Sequence, residues 1–192
     1  MPNQGFYTQG ELNELGLNKV GSNVLISQKA SLYNIKNIEI SDNVRIDDFA
    51  ILIGPIKIGS YVHIGAGTIL TGGQKGIVLE DYVGISSGCK IFSVTDDYTG
   101  DFMANSTIPS KYKNITSEQI LIKKHCLVGA NSVILPNSKG LEEGVSVGAL
   151  SLVMRPTKAY GIYFGAPAKR IGERSKNILH LEKQLIYDKG LK

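Results

Sequence analysis

The sequence predicts an all-β chain wound as a parallel β-helix, and three observations predict it. Aliphatic residues recur every six positions at Ile40, Ile46, Leu52, Ile58, Ile64 and Leu70. The residue two before each is small or β-branched: Ile38, Val44, Ala50, Ile56, Val62 and Thr68. The composition carries 22 glycines and no tryptophan, with Ile and Val prominent among the apolar residues, which suits short strands joined by tight turns. A fixed short period marks a solenoid whose turns pack only on their neighbours.

The elements follow in order. Thr8 to Leu15 reads as a short helix, because Thr8 and Glu11 have capping-box spacing and Gly16 supplies a stop. A weak copy of the repeat begins at Val20, Ile26 and Leu32. The strong copy resumes at Leu79, Ile85 and Ile91, then at Ile122, Val128 and Ile134, and ends at Val147 and Val153. Three hexads make one triangular turn, so about six turns are expected, roughly 30 Å tall at the spacing of stacked strands. The coil spans 20–154. A tail, 155–174, reads as extended. A helix then runs from Ser175 to Asp188, with Ile178, Leu181, Leu185 and Ile186 as its apolar face and Gly190 after it. That helix is expected to cap the open end of the coil or to pack on a neighbouring subunit. The whole, 1–192, is expected to be one domain.

The interruptions carry more functional information than the beat. Three extra residues fall between Leu70 and Leu79, around Gly72-Gly73. Between Ile91 and Ile122 the hexad yields to a polar, unrepeated loop over 93–118. A solenoid does not need such a loop to stand, and long loops in compact domains are commonly functional. The slip after Leu70 also sets the stacking. Asp48, Ala66 and Ser87 are expected in one column, and Arg45 and His63 one turn apart, forming a polar outward strip. Arg45 has a planar donor fork that suits phosphate oxygens, and His63 can hydrogen-bond a ligand or serve as a base. The plainer reading of Asp96 and Asp97 is that they cap a turn.

Charge and composition exclude several classes. The net charge of +4 is mild, and no basic patch interleaved with aromatics points to nucleic acid. Met1 to Gly10 lacks an apolar signal core, and no run approaches the roughly 20 apolar residues of a membrane span, so a cytoplasmic protein is expected. Cys89 and Cys126 each precede a hexad aliphatic by two and are expected as buried thiols. The three histidines, His63, His125 and His180, do not suggest a three-ligand zinc site.

The repeats, the projecting loop and the Gly-Xaa-Pro-Ala-Lys segment at Gly165–Lys169 resemble the hexapeptide-repeat acyltransferases. The resemblance implies a left-handed coil, a homotrimer with active sites between subunits, and transfer of an acyl group from acyl-CoA. Four segments narrow it: Arg45–Phe49, Val94–Gly100, Gly148–Val153 and Gly161–Lys169. They are similar to the sugar-nucleotide N-acyltransferases that act on dTDP-4-amino-4,6-dideoxyglucose. This implies a surface-polysaccharide (O-antigen) role, acetyl-CoA as co-substrate and no metal.

The resemblance also distributes roles. Family O-acetyltransferases carry a catalytic His where this chain has Asp96-Asp97. A hydroxyl needs a base, whereas an amine arrives as an ammonium that a carboxylate can hold and, once neutral, attacks a thioester unaided. Asp97, Asp96 and His63 are therefore the catalytic candidates. Arg45, Asp47, Asp48, Ser87 and Tyr98 are candidates for the sugar nucleotide. Gly129, Ala130, Gly148 and Ala149 would carry the pantetheine arm, with backbone N–H groups facing the oxyanion. Arg155 and Lys169 would meet CoA phosphates and Pro167 the adenine; Lys123, Lys124 and Arg170 are weaker. The base remains open among Asp97, His63, a water and the departing thiolate. The alternatives are an O-acetyltransferase of a sugar hydroxyl, like the galactoside and maltose enzymes, and a β-helix without catalysis.

Overall fold

The computed structural model describes residues 5–190. The chain winds as a left-handed parallel β-helix with three faces. The first face stacks Lys19–Val20, Ile38–Ile40, Ile56–Ile58, Ile77–Leu79, Ile120–Ile122 and Gly140–Leu141. The second stacks Leu25–Ile26, Arg45–Ile46, His63–Ile64, Gly84–Ile85, Leu127–Val128 and Ser146–Val147, and the third runs from Ser31–Tyr33 to Leu152–Val153. The first and third faces have six strands each, as the hexads require.

Hexad aliphatics stack directly on one another. Ile40 pairs with Ile58, Ile58 with Leu79 and Leu79 with Ile122, so the extra residues after Leu70 are absorbed without a shift of register. They form a turn in which Gly76 N donates to Gly72 O at 2.7 Å. Ile40, Ile46, Leu52, Ile64, Leu70, Ile85 and Val128 are buried, each contributing on the order of 1.5–3 kcal/mol by leaving water. Cys89 and Cys126 are buried among them. At the N-terminal end, helix α1 (Gln9–Glu14) closes the coil with Leu12, which is wholly buried. The capping box of Thr8 and Glu11 is formed.

One corner of the coil is a ladder of left-handed residues: Asn23, Asn43, Tyr61, Tyr82 and His125 all have φ between 53° and 62°. The strain of this conformation in non-glycine residues is offset by stacking. Asn23 Nδ2 donates to Asn43 Oδ1 at 2.7 Å. The Tyr61 and Tyr82 rings stack at 5.2 Å, and Tyr82 and His125 at 5.0 Å.

Three expectations change. Helix α2 (Asn177–Asp188) does not cap the end of the coil. It lies along this corner, where Glu182 Oε2 is 2.8 Å from His125 Nε2, Lys176 Nζ is 4.9 Å from the Tyr160 ring and Lys189 Nζ is 4.8 Å from the Tyr61 ring. Its inward stripe is Ile178, Leu179, Glu182, Leu185 and Ile186 at helical spacing, and Leu181 points outward at 51% exposure. The tail is not merely extended either. Gly161–Phe164 adds a further rung to the second face, parallel to Ser146–Val147, and returns antiparallel as Lys169–Glu173. The coil therefore runs past residue 154.

The loop leaves the third face through a short stem, Val94–Thr95 paired antiparallel with Thr116–Ser117. Among the described residues, no helix is long and apolar enough to cross a membrane.

The close stacking of turns makes one glycine a sharp test. Gly140 has φ 108°, and a Cβ there would overlap the Leu121 carbonyl oxygen. Gly140→Ala is expected to cost about 3 kcal/mol or more, read as a lowered Tm; an unchanged Tm would show that the last turns are not packed as described.

Candidate active site

The expected polar strip is formed on the second face. Arg45 and His63 are register partners on adjacent turns, and Asp47 follows Arg45 by two residues on the same outward side. The Asp47 carboxylate takes Arg45 Nε on Oδ1 and His63 Nε2 on Oδ2, both at 2.7 Å. The side chain of Asp47 is 20% exposed, against 55% for Arg45 and 52% for His63. Burial raises the Asp47 carboxyl, but bonds from Arg45 and His63 outweigh it and hold it below the usual carboxylate range. The charged form is thus kept at neutral pH, and its contribution is lost only as the pH falls in acid through the lowered value. Arg45 also lies 5.2 Å from the Phe6 ring. These three side chains line an open cleft of about 390 Å³ with Asn43, Tyr61 and Val62. Asn43 and Tyr61 escaped the sequence reading; their shared place in the left-handed corner is the signal that could have found them.

The column of Asp48, Ala66 and Ser87 is present as well. Gly67 N donates to Asp48 O at 2.9 Å, Gly88 N to Ala66 O at 2.8 Å and Asn131 N to Ser87 O at 3.0 Å. Ala130 continues it, since Leu150 N reaches Ala130 O at 2.9 Å. Asp48 is occupied by Lys29 at 2.8 Å and by Ser27, both from the preceding turn. Ser87 is exposed.

In the loop, Asp97 accepts from Thr99 Oγ1 at 2.9 Å, from Thr99 N at 3.2 Å and from Phe102 N at 3.2 Å. Burial raises its carboxyl, but these donors lower it to below the usual range. The turn-capping reading is therefore realised, and it leaves Asp97 ionised. Asp96 is half-buried beside it, and Tyr98 is 90% exposed. Among the described residues, no hydrogen bond joins Asp96 or Asp97 to His63, Arg45 or Ser87.

The C-terminal candidates do gather. Arg155, Pro167 and Lys169 line one cavity of about 550 Å³ with Met154, Pro156 and Tyr163. Ala166–Pro167 is a cis peptide. Gly129 lies under Gly148 and Ala149, where a Cβ would meet Ala149 N at 2.5 Å. Gly148 is covered by the Phe164 ring, a neighbour that the hexads did not indicate. Lys123 and Arg170 are engaged in ion pairs of 2.7 Å with Glu142 and Glu173, and Lys124 faces Asp81 and Glu182.

A three-faced hexad coil interrupted once by a long loop is the architecture of a hexapeptide transferase. Residues 37–72 match the bacterial transferase hexapeptide (six repeats) family. The chain is 43% identical over 175 residues, 90% of each chain, to the dTDP-4-amino-4,6-dideoxy-D-glucose acyltransferase of Escherichia coli. Its structure matches that of AntD, an N-acyltransferase from Bacillus cereus solved with dTDP and 3-hydroxybutyryl-CoA, with a TM-score of 0.95 and 44% identity over 97% of this chain and 98% of that one. A maltose O-acetyltransferase from Clostridium difficile 630 shares the fold alone, with a TM-score of 0.57 and 15% identity over 88% of this chain and 75% of that one. The chain belongs to the dTDP-4-amino-4,6-dideoxy-D-glucose acyltransferase family of hexapeptide-repeat proteins, and it is an acyltransferase.

The two thiols are turned inward, Cys89 Sγ donating to the Gly129 carbonyl oxygen at 3.2 Å and Cys126 Sγ to that of Glu142 at 3.0 Å. Burial pushes Cys126 up to about 12 and raises Cys89 as well. Both are expected to resist alkylation at pH 8 in the folded protein and to react on denaturation. Rapid labelling of either in the native state would contradict their burial.

Proposed function

We propose that this enzyme moves an acyl group from acyl-CoA, acetyl-CoA among the candidates, to the C4 amine of dTDP-4-amino-4,6-dideoxyglucose. One observation carries the reading: near-full-length similarity to an enzyme named for that sugar nucleotide, joined to likeness with an N-acyltransferase solved with dTDP and an acyl-CoA. The two cavities support it. The cleft at Arg45 and His63 offers donors for a diphosphate and partners for sugar hydroxyls. The cavity at Arg155, Pro167 and Lys169 offers cations for the phosphates of CoA and an apolar surface for its adenine. Between them, Gly129, Ala130, Gly148 and Ala149 would border the pantetheine arm. In the proposed reaction the ammonium is held by Asp97 and gives one proton to solvent water. The neutral amine then attacks the thioester carbonyl, the C–N bond forms, the C–S bond breaks, and the thiolate takes one of the two amine protons while the other stays on the amide nitrogen. No acyl-enzyme is required, and juxtaposition of the reactants supplies several kcal/mol.

Asp97 and Ser87 are assigned to this centre for a further reason. AntD has been solved with one aspartate and, separately, one serine replaced, ten positions apart in that chain. Ser87 and Asp97 have the same separation here. Since no hydrogen bond joins His63 to Asp97 among the described residues, we place the centre between subunits of a homotrimer. The outward row of the third face supports that assembly: Ile51, Ile53, Ile69, Phe92, Val133 and Leu152 place half-buried apolar side chains along it. One domain over 1–192, acting in the cytoplasm on a precursor of a surface polysaccharide, completes the reading; two free buried thiols suit a reducing compartment.

Release of free CoA thiol with acetyl-CoA and dTDP-4-amino-4,6-dideoxyglucose tests the proposal, with galactosides and a UDP-4-amino sugar as comparison acceptors. Turnover is expected only with the amino-sugar nucleotides and highest with the dTDP sugar; turnover with a plain sugar alone would overturn it. Asp97→Asn is expected to lower kcat/KM about 100-fold or more, and an unchanged value would remove Asp97 from the centre. Arg155→Ala is expected to raise KM for acyl-CoA about tenfold while leaving KM for the sugar nucleotide in place; the reverse pattern would exchange the two cavities.

A further inference from the structure

The cleft on the second face contains a carboxylate whose geometry fixes more than charge. Asp47 is less exposed than Arg45 and His63, and each of its oxygens has one partner at 2.7 Å. The Arg45 partner is Nε–H, which only donates, because a guanidinium has no acceptor and does not lose its proton in proteins. That pins Oδ1 as an acceptor. Oδ2 then faces His63 Nε2, and an ionised carboxylate can only accept. The Asp47 carboxyl is held below the usual range, so the ionised form persists at neutral pH. His63 Nε2 must therefore carry a proton. In the neutral ring the lone pair is left on Nδ1, which no described side chain engages.

We propose that Asp47 is a positioning residue: it locks Arg45 and His63 into one unit that presents guanidinium donors beside a fixed imidazole acceptor at Nδ1. Such a pair recognises an anionic oxygen next to a hydroxyl or N–H donor, as in a phosphate ester on a sugar. Asp47 is thereby moved from touching the sugar nucleotide to orienting the two groups that do. The inference rests on the reading of this cleft as the sugar-nucleotide site.

The test separates the two. Imidazole ¹⁵N shifts of His63, assigned by their loss in His63→Gln, are recorded near pH 8 for the wild type and Asp47→Asn. The wild-type ring is expected as the Nε2–H tautomer; an Nδ1–H ring would overturn the inference without any variant having to fold. In Asp47→Asn, Arg45 Nε–H still claims the amide oxygen, so the amide NH₂ faces His63 and the ring is expected to switch to Nδ1–H. Retention of Nε2–H there would equally overturn it. Adding Arg45→Met frees the amide to rotate, and the Nε2–H tautomer is expected to return; persistence of Nδ1–H would show that Arg45 does not set the orientation.

Kinetics read the cleft itself. Asp47→Asn is expected to raise KM for the sugar nucleotide at least about tenfold, as loss of charge-assisted hydrogen bonds does, with KM for acyl-CoA unchanged. A switched tautomer with both KM values unchanged would refute the role of this cleft in substrate binding, and with it the positioning role, while the measured tautomer would stand.

Discussion

Everything in this structure depends on aliphatic side chains meeting their equivalents one turn away. Ile40, Ile58, Leu79 and Ile122 form such a column inside the first face, and Ile46, Ile64, Ile85 and Val128 form another inside the second. Because burial is additive along a solenoid, no single pair dominates, and each turn both supports and requires its neighbours. The ends are where this logic fails, and there the chain supplies substitutes. Leu12 fills the first turn, and the Gly161–Phe164 rung covers the last.

The same stacking makes the outside of the coil a precise lattice. A residue's face and height follow from its position in the hexad, so Arg45 comes to lie over His63 and Ser87 over Ala66 with little freedom. A polar strip held in this way is rigid at the backbone, and the Asp47 carboxylate extends that rigidity to its side chains. The loop works differently. It hangs from a two-residue stem and is organised by Asp97 acting as a local hydrogen-bond acceptor. A rigid polar strip and a locally organised loop suit the two parts of the proposed reaction, in which the scaffold orients one partner and the loop brings a carboxylate to it.

The left-handed corner links fold to site. Tyr61 stacks on Tyr82 and also lines the cleft, while Lys189 beyond the end of α2 reaches its ring. The C-terminal helix is therefore tied to the same wall that borders Arg45 and His63, through the Glu182–His125 contact and two cation–π contacts.

The sequence by itself determined the coil, its register and the columns. Period six dictates which side chains face inward, and the slip after Leu70 could be counted directly, so Asp48, Ala66 and Ser87 were aligned without coordinates. Buried Cys89 and Cys126 followed from the same register. The hand of the coil did not, because inward and outward alternation is the same in either hand; it came from resemblance. Only the tertiary structure decided what lies across turns or outside the repeat. The course of α2 along the Tyr61–Tyr82–His125 corner, the exposure of Leu181, the return strand Lys169–Glu173 and the closure of Phe164 over Gly148 all depend on non-repeating segments finding a surface. Asp47 shows the difference most plainly. Its position on the outward strip was readable from the hexad, but its two oxygens being shared between Arg45 and His63 is set by side-chain geometry between turns, which no periodicity encodes.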